Sequence, residues 1–226
     1  MDIMDDEVPA ATGGRITHGV LVRLAPRPGR HDDAEELLDA VLRLSNNEPH
    51  TETSLLLRFH NGDYGLLDLF TDELARREHL AGAARQAIAY RARDLFEGEP
   101  GNVLVDVLDH HLPPVAGRTR LAAGTWLTFA TGAVRPDETV RVSAGGRVAW
   151  LALRFDDGPV AVLDLAPTAD GPEPNRLPEV FCNGQEVRLV SSERFRLIGP
   201  DVPEPAIVVE RPIGIVSRAA PLPSQV

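Results

Sequence analysis

The sequence predicts an α+β protein: a ferredoxin-like βαββαβ unit followed by an all-β sandwich or small barrel. Three observations predict it. Strand and helix periods alternate in that order over residues 16–113. From residue 120 onward no helical period recurs, and short β-rich runs broken by Gly, Pro and Asp take over. Between two apolar runs stands "HNGD", whose Asn61-Gly62 is a strong hairpin signal.

The elements follow in order. Residues 1–15 are acidic and Gly/Ala-rich and read as a disordered lead. "ITHGVLVRLAP" (16–26) reads as a strand, ended by "PRPG". "RHDDAEELLDAVLRLSNNEP" (30–49) is an amphipathic helix, with acidic residues in the first turn and Leu37, Leu38, Val41, Leu42 and Leu44 on the apolar side. "TSLLLRF" and "YGLLDLF" form the hairpin. "TDELARREHL", capped by Thr71 or Asp72, and "AARQAIAYRARDLFEG" are two helical pieces separated at Gly82. "NVLVDVLDHHLP" (102–113) closes the unit. A linker at 114–118 precedes a β-rich domain at 119–218, and 219–226 read as a disordered tail. The strands of the first unit are apolar on both faces. Their own helices cover one face; the other calls for a second sheet, from a homodimer partner or from the second half of the chain.

The halves share an echo. "LLLRFHNGDYGLLDL" (55–69) aligns with "LALRFDDGPVAVLDL" (151–165), placing Asp68 opposite Asp164. This is either a decayed duplication or the same hairpin chemistry used twice.

Charge excludes several partners. A net charge of −11 and a pI near 5.1 argue against nucleic acid and anionic membranes. All 23 basic residues are Arg, so Schiff-base and Walker-type lysine chemistry is excluded. A single cysteine, Cys182, excludes an intrachain disulfide and two-cysteine metal knuckles. His110 and His111 are adjacent on a strand and point to opposite faces, so no metal site is expected. With no basic-plus-apolar leader and no run long enough to span a membrane, the expected location is the cytoplasm.

Asp68 poses the central question, because a carboxylate among Leu66, Leu67, Leu69 and Phe70 is costly to bury unless paired. A two-residue turn at Asn61-Gly62 would put Phe59, Tyr64, Leu66, Asp68 and Phe70 on one face and Arg58 on the other. The expected mate is then an arginine of the second helical region (Arg76, Arg77 or Arg85) or of a partner subunit. The alternative is an Asp68 facing substrate.

"GVLVRLAPRPGRHDDAEELLDAV", "LLLRFHNGDYGLLDLFTDELARREHLAG" and "VDVLDHHLP" resemble the antibiotic-biosynthesis monooxygenase family, most closely its quinol monooxygenase branch. The resemblance covers about residues 16–113, and the stretch at 70–82 is its most specific part. It implies a dimeric α+β barrel and cofactor-independent monooxygenation by O2 of a phenolic, quinol or anthrone-like small molecule. His79 matches the family histidine of "H-L-x-G" and Asp68 a carboxylate common in this branch, which makes them the catalytic candidates. Tyr64, His18 and Phe70 are the substrate-binding candidates. Their bland readings are a helix-end histidine, a paired structural Asp68 and a cross-strand Tyr64 beside Phe59. No cofactor is implied, and both tryptophans, Trp126 and Trp150, lie outside the matching half, so haem turnover is not expected. The rival reading is a non-catalytic dimeric binding or scaffold protein whose β-rich domain carries the ligand or partner site.

Overall fold

The structure, a computed structural model, describes residues 15–113, 121–129, 140–143, 149–155, 159–166, 179–182, 185–187 and 189–198. The expected lead (save residue 15), linker and tail, and the turn at Gly158, lie outside the described residues. The elements are β1 (His18–Leu24), α1 (His31–Asn46), β2 (Thr53–Phe59), β3 (Tyr64–Phe70), α2 (Glu73–Ala81), α3 (Ala83–Leu95) and β4 (Asn102–His111). They continue with β5 (Ala123–Phe129), β6 (Val140–Ser143), β7 (Ala149–Phe155), β8 (Val160–Ala166), β9 (Glu179–Cys182), β10 (Gln185–Val187) and β11 (Leu189–Ile198).

Local chemistry explains the helices. In α1, Ala34, Leu38, Val41 and Leu42 recur at helical spacing and are buried, while Asp32 and Asp33 occupy the first turn. Asp72 caps α2 by accepting from the Ala75 N–H at 2.9 Å. Gly82, in extended conformation, ends α2 and starts α3.

The hairpin turn differs from the two-residue reading. Phe59 N–H donates to Asp63 O (2.9 Å) and Gly62 N–H to Phe59 O (3.0 Å), with Gly62 at φ 91°. This is a three-residue loop with glycine in the left-handed position. The register becomes Arg58 opposite Tyr64 and Leu57 opposite Gly65. One residue of slip exchanges the faces. Arg58 therefore shares a face with Tyr64, its guanidinium carbon 5.9 Å from the tyrosine ring, and Phe59 points to the other side.

Eight antiparallel strands close one barrel in the order β1-β3-β2-β11-β5-β8-β7-β4. Instead of a separate sandwich, four strands of the second half complete the cylinder begun by the first. The physical reason is the doubly apolar sheet: its inner face is covered by the chain's own β5, β7, β8 and β11. Phe59 and Leu57 meet Trp126, Phe195, Leu153 and Leu163 in the barrel interior, with Phe59 edge-on to Trp126 (6.4 Å) and Phe195 (6.0 Å). Outside the barrel, α1, α2 and α3 cover β1–β3 through Val20, Leu38, Leu56, Leu66, Phe70 and Ile88. A small sheet, β10-β9-β6, lies beyond the barrel, and its Val180 packs with Leu127, Phe129, Val160 and Val162.

The strand order repeats: β4-β1-β3-β2 is followed by β11-β5-β8-β7. The register repeats with it. Gly19 faces Val105 and Leu69, and Gly124 faces Phe195 and Leu165 in the same way. Thr17 N–H donates to Phe70 O and Thr17 O accepts from Val107; Ala122 does the same with Ala166 and Leu197. The echo hairpins are thus equivalent members of two four-stranded units related by pseudo-twofold symmetry. Hairpin chemistry alone requires no equivalence of β1 with β5 or of β4 with β11, so the duplication reading gains the support.

Candidate active site

On β3, residues 64, 66, 68 and 70 face the helices, and this alternation sets Asp68 under α2. Asp68 is 0% exposed. Its Oδ1 accepts from the Ser54 hydroxyl on the neighbouring strand at 2.5 Å, and its Oδ2 lies 3.2 Å from Nε2 of His79. The latter contact is an ion-pair distance without hydrogen-bond alignment. His79 reaches the sheet from the last turn of α2, and its Nδ1 sits 2.6 Å from Glu48 Oε2 in the loop between α1 and β2. The imidazole is thus clamped between two carboxylates, with the Phe70 ring 5.1 Å away.

The electrostatics follow from that clamp. Burial disfavours the imidazolium, but the close Asp68 carboxylate and then the bond and attraction of Glu48 outweigh it and hold the His79 pKa above its ordinary value. In its charged form the ring donates to Glu48 through Nδ1 and sets its Nε2 at ion-pair distance from Asp68, so the imidazolium is a donor rather than a base. Acceptor capacity resides in the carboxylates.

The structure brings Asp68, His79 and Phe70 together. Tyr64 is elsewhere: its hydroxyl donates to Glu35 Oε2 at 2.7 Å, and Arg58 joins the same oxygen at 3.0 Å. Burial first, then the Glu35 bond, pushes the Tyr64 phenol well above its usual range. It lies four residues along β3 from Asp68, about 13 Å away. His18, cross-strand from Phe70, has its Nδ1 2.7 Å from Thr17 Oγ1 at the strand end. Arg76 and Arg77 are held by Glu73 instead of Asp68. The partners that sequence reasoning missed are Ser54 and Glu48. Ser54 becomes legible once the hairpin register is known, since it stands opposite Asp68. Glu48, in "NNEPH", carried no periodic signal.

A solved structure shares this architecture. A putative monooxygenase from Lactobacillus acidophilus NCFM superimposes with a TM-score of 0.50 at 10% identity, covering 81% of this chain and 94% of its own.

That structure and this chain share a fold.

A protein of unknown function from Nitrosomonas europaea is 30% identical and covers 44% of this chain and 96% of its own (TM-score 0.42). A putative antibiotic biosynthesis monooxygenase from Bacteriodes thetaiotaomicron is 18% identical over 44% of this chain and 90% of its own (TM-score 0.34). No family model matches the sequence, and no curated protein does. No helix among the described residues is long and apolar enough to cross a membrane.

Proposed function

We propose that this chain is a monooxygenase-type oxidoreductase that uses O2 on an electron-rich phenolic small molecule of the quinol or anthrone kind. The observation that carries the reading is the Glu48–His79–Asp68 array, a proton-handling group whose Asp68 and His79 are buried in an apolar layer between helices and sheet and whose Glu48 is partly exposed. With His79 charged, the array bears two negative charges and one positive, so it can take a proton from a bound phenol. The resulting anion is held beside the imidazolium and is electron-rich enough to reduce O2 by one electron. Recombination joins superoxide to the ring carbon and protonation makes it a hydroperoxide; loss of that carbon's hydrogen as a proton then breaks the O–O bond, leaving one oxygen atom on the substrate as a carbonyl and releasing the other as water. The substrate supplies all the electrons, and the site supplies the base, the cation and the dry surroundings. Asp68 is the acceptor, His79 the positioning cation, and Phe70 the aromatic wall.

Asp68, Tyr64 and Phe70 are 0% exposed and His79 is 3% exposed. Substrate entry therefore requires α2 and α3 to move off the sheet. The same closure is the observation that favours the second reading, a non-catalytic binding or scaffold protein in which the array is structural. Oxygen consumption decides between them: purified protein is offered anthrones and hydroquinones without added metal or flavin, beside His79→Ala and Asp68→Asn. Uptake lost in both variants supports the oxygenase. No uptake across the panel, with ligand still bound, assigns the protein to the binding class.

A further inference from the structure

The pseudo-twofold relation makes the two seams between the halves comparable. Where β4 meets β7, Asp106 stands opposite Arg154 and forms an ion pair with it. Val105 and Phe195 are equivalent through the glycines they face, and Arg154 and Arg58 through the repeated hairpin. The equivalents of Asp106 and Arg154 are therefore Arg196 and Arg58, which stand directly opposite each other where β11 meets β2. An ion pair at one seam is replaced at the other by two like charges, an arrangement that costs stability.

The basic patch continues along β11. Phe195 and Leu197 point into the barrel, so Arg194 and Arg196 alternate to the outside, where both are exposed, with exposed Arg58 beside them. His60 N–H donates to Arg194 O at 3.3 Å, which sets His60 in the same row as Arg194. Glu35 holds Arg58 at 3.0 Å. Arg194 and Arg196 have no acidic partner among the described residues. A chain with 34 acidic against 23 basic residues thus keeps a locally basic face at this one seam.

The rows Arg58–Arg196 and His60–Arg194 lie two residues apart along β11, about 7 Å. An extended polypeptide has the same period, since alternate side chains leave one face about 7 Å apart. A single inorganic anion would engage one row only. The barrel is closed and offers no free strand edge, so recognition here falls to side chains rather than to added backbone pairing.

We propose that the β2–β11 seam is a docking surface for an extended acidic segment of a partner polypeptide. Carboxylates at alternate positions of that segment are received by Arg58 and Arg196 in one row and by Arg194 in the next. The guanidinium fork matches a carboxylate, and the Arg154–Asp106 pair makes that match at the equivalent place. The inference is independent of the oxygenase reading.

The test uses the full chain and a fluorescein-labelled peptide of alternating glutamate and serine, read by anisotropy, with the glutamine-for-glutamate peptide as control. The parent should bind the acidic peptide and not the control, and added sodium chloride should weaken binding. Arg196→Asp rebuilds at this seam the pair that closes the other. It should melt at or above the parent while weakening the peptide at least about tenfold, because a carboxylate now faces a carboxylate. No binding by the parent, equal binding of the control, displacement by inorganic phosphate at matched ionic strength, or unchanged binding in Arg196→Asp overturns the proposal. Should Arg196→Asp fail to fold, Arg194→Gln and Arg196→Gln carry the test, and unchanged binding in both overturns it.

Discussion

Replacing Asp68 by Asn removes a buried charge with almost no change in volume. Two contacts are affected: the Ser54 hydroxyl at 2.5 Å and the His79 ring nitrogen at 3.2 Å. Leaving a buried cation wholly unpaired costs about 3–5 kcal/mol. Here Glu48 remains 2.6 Å from the other nitrogen, and His79 can shed its proton. The loss is then nearer that of a charged hydrogen bond, about 1.5–3 kcal/mol. For a chain of this size that is a fall in melting temperature of about 3–12 °C. The pH dependence has a defined sign. The folded His79 pKa lies above its unfolded value of about 6.5. Its ion-pair stabilisation is therefore complete below that value and fades as pH rises through the folded one. Parent and variant should differ most below about pH 6.5 and converge as pH rises through the folded pKa. Urea titrations followed by tryptophan fluorescence at constant m-value measure the gap, since Trp126 sits in the barrel core. Coincident melting curves at pH 6, or a gap that widens with pH, would refute the clamp.

The two symmetry-related glycines should differ in tolerance. A Cβ at Gly19 would meet a movable Val105 methyl at 2.9 Å, whereas one at Gly124 would meet the Asp164 carbonyl and the Phe195 ring, each at 2.5 Å. Gly124→Ala is expected to cost more than the usual 1–3 kcal/mol of overpacking and Gly19→Ala about that range or less, by calorimetry. Tyr64→Phe loses the bond to half-exposed Glu35. It should cost about 0.5–1.5 kcal/mol in denaturant titrations and leave oxygen uptake unchanged.

Much of this was legible in the sequence. Apolar spacing marked α1, the Asp72 cap marked α2, and alternation along 64–70 placed Asp68 under the helices. The turn was not legible, because Asn-Gly suits both two-residue loops and three-residue loops with a left-handed glycine, and only the register separates them. That single residue misplaced Phe59 and Arg58. Of the arginines expected for Asp68, Arg76 and Arg77 turn to Glu73 and Arg85 feels its charge, while helix phase brings His79, at the end of α2, over β3 as the ion-pair neighbour of the carboxylate. The second half was legible as β-rich but not as the other half of the cylinder, since the two seams that join the halves pair strands 39–50 residues apart (β4 with β7) and 136–142 residues apart (β2 with β11), and such separations leave no local pattern.

A ring assembled from two identical chains must carry every substitution twice, once on each side. Here both sides are written in one chain, so each can change alone. The residues standing opposite Asp68, Ser54 and Val20, have as their counterparts around Asp164 the bulkier Trp150 and the polar Thr125. One flank keeps three helices and a clamped imidazole, while the other carries an added β-layer through Val180. Linking the copies thus frees one flank to specialise without obliging the other to follow.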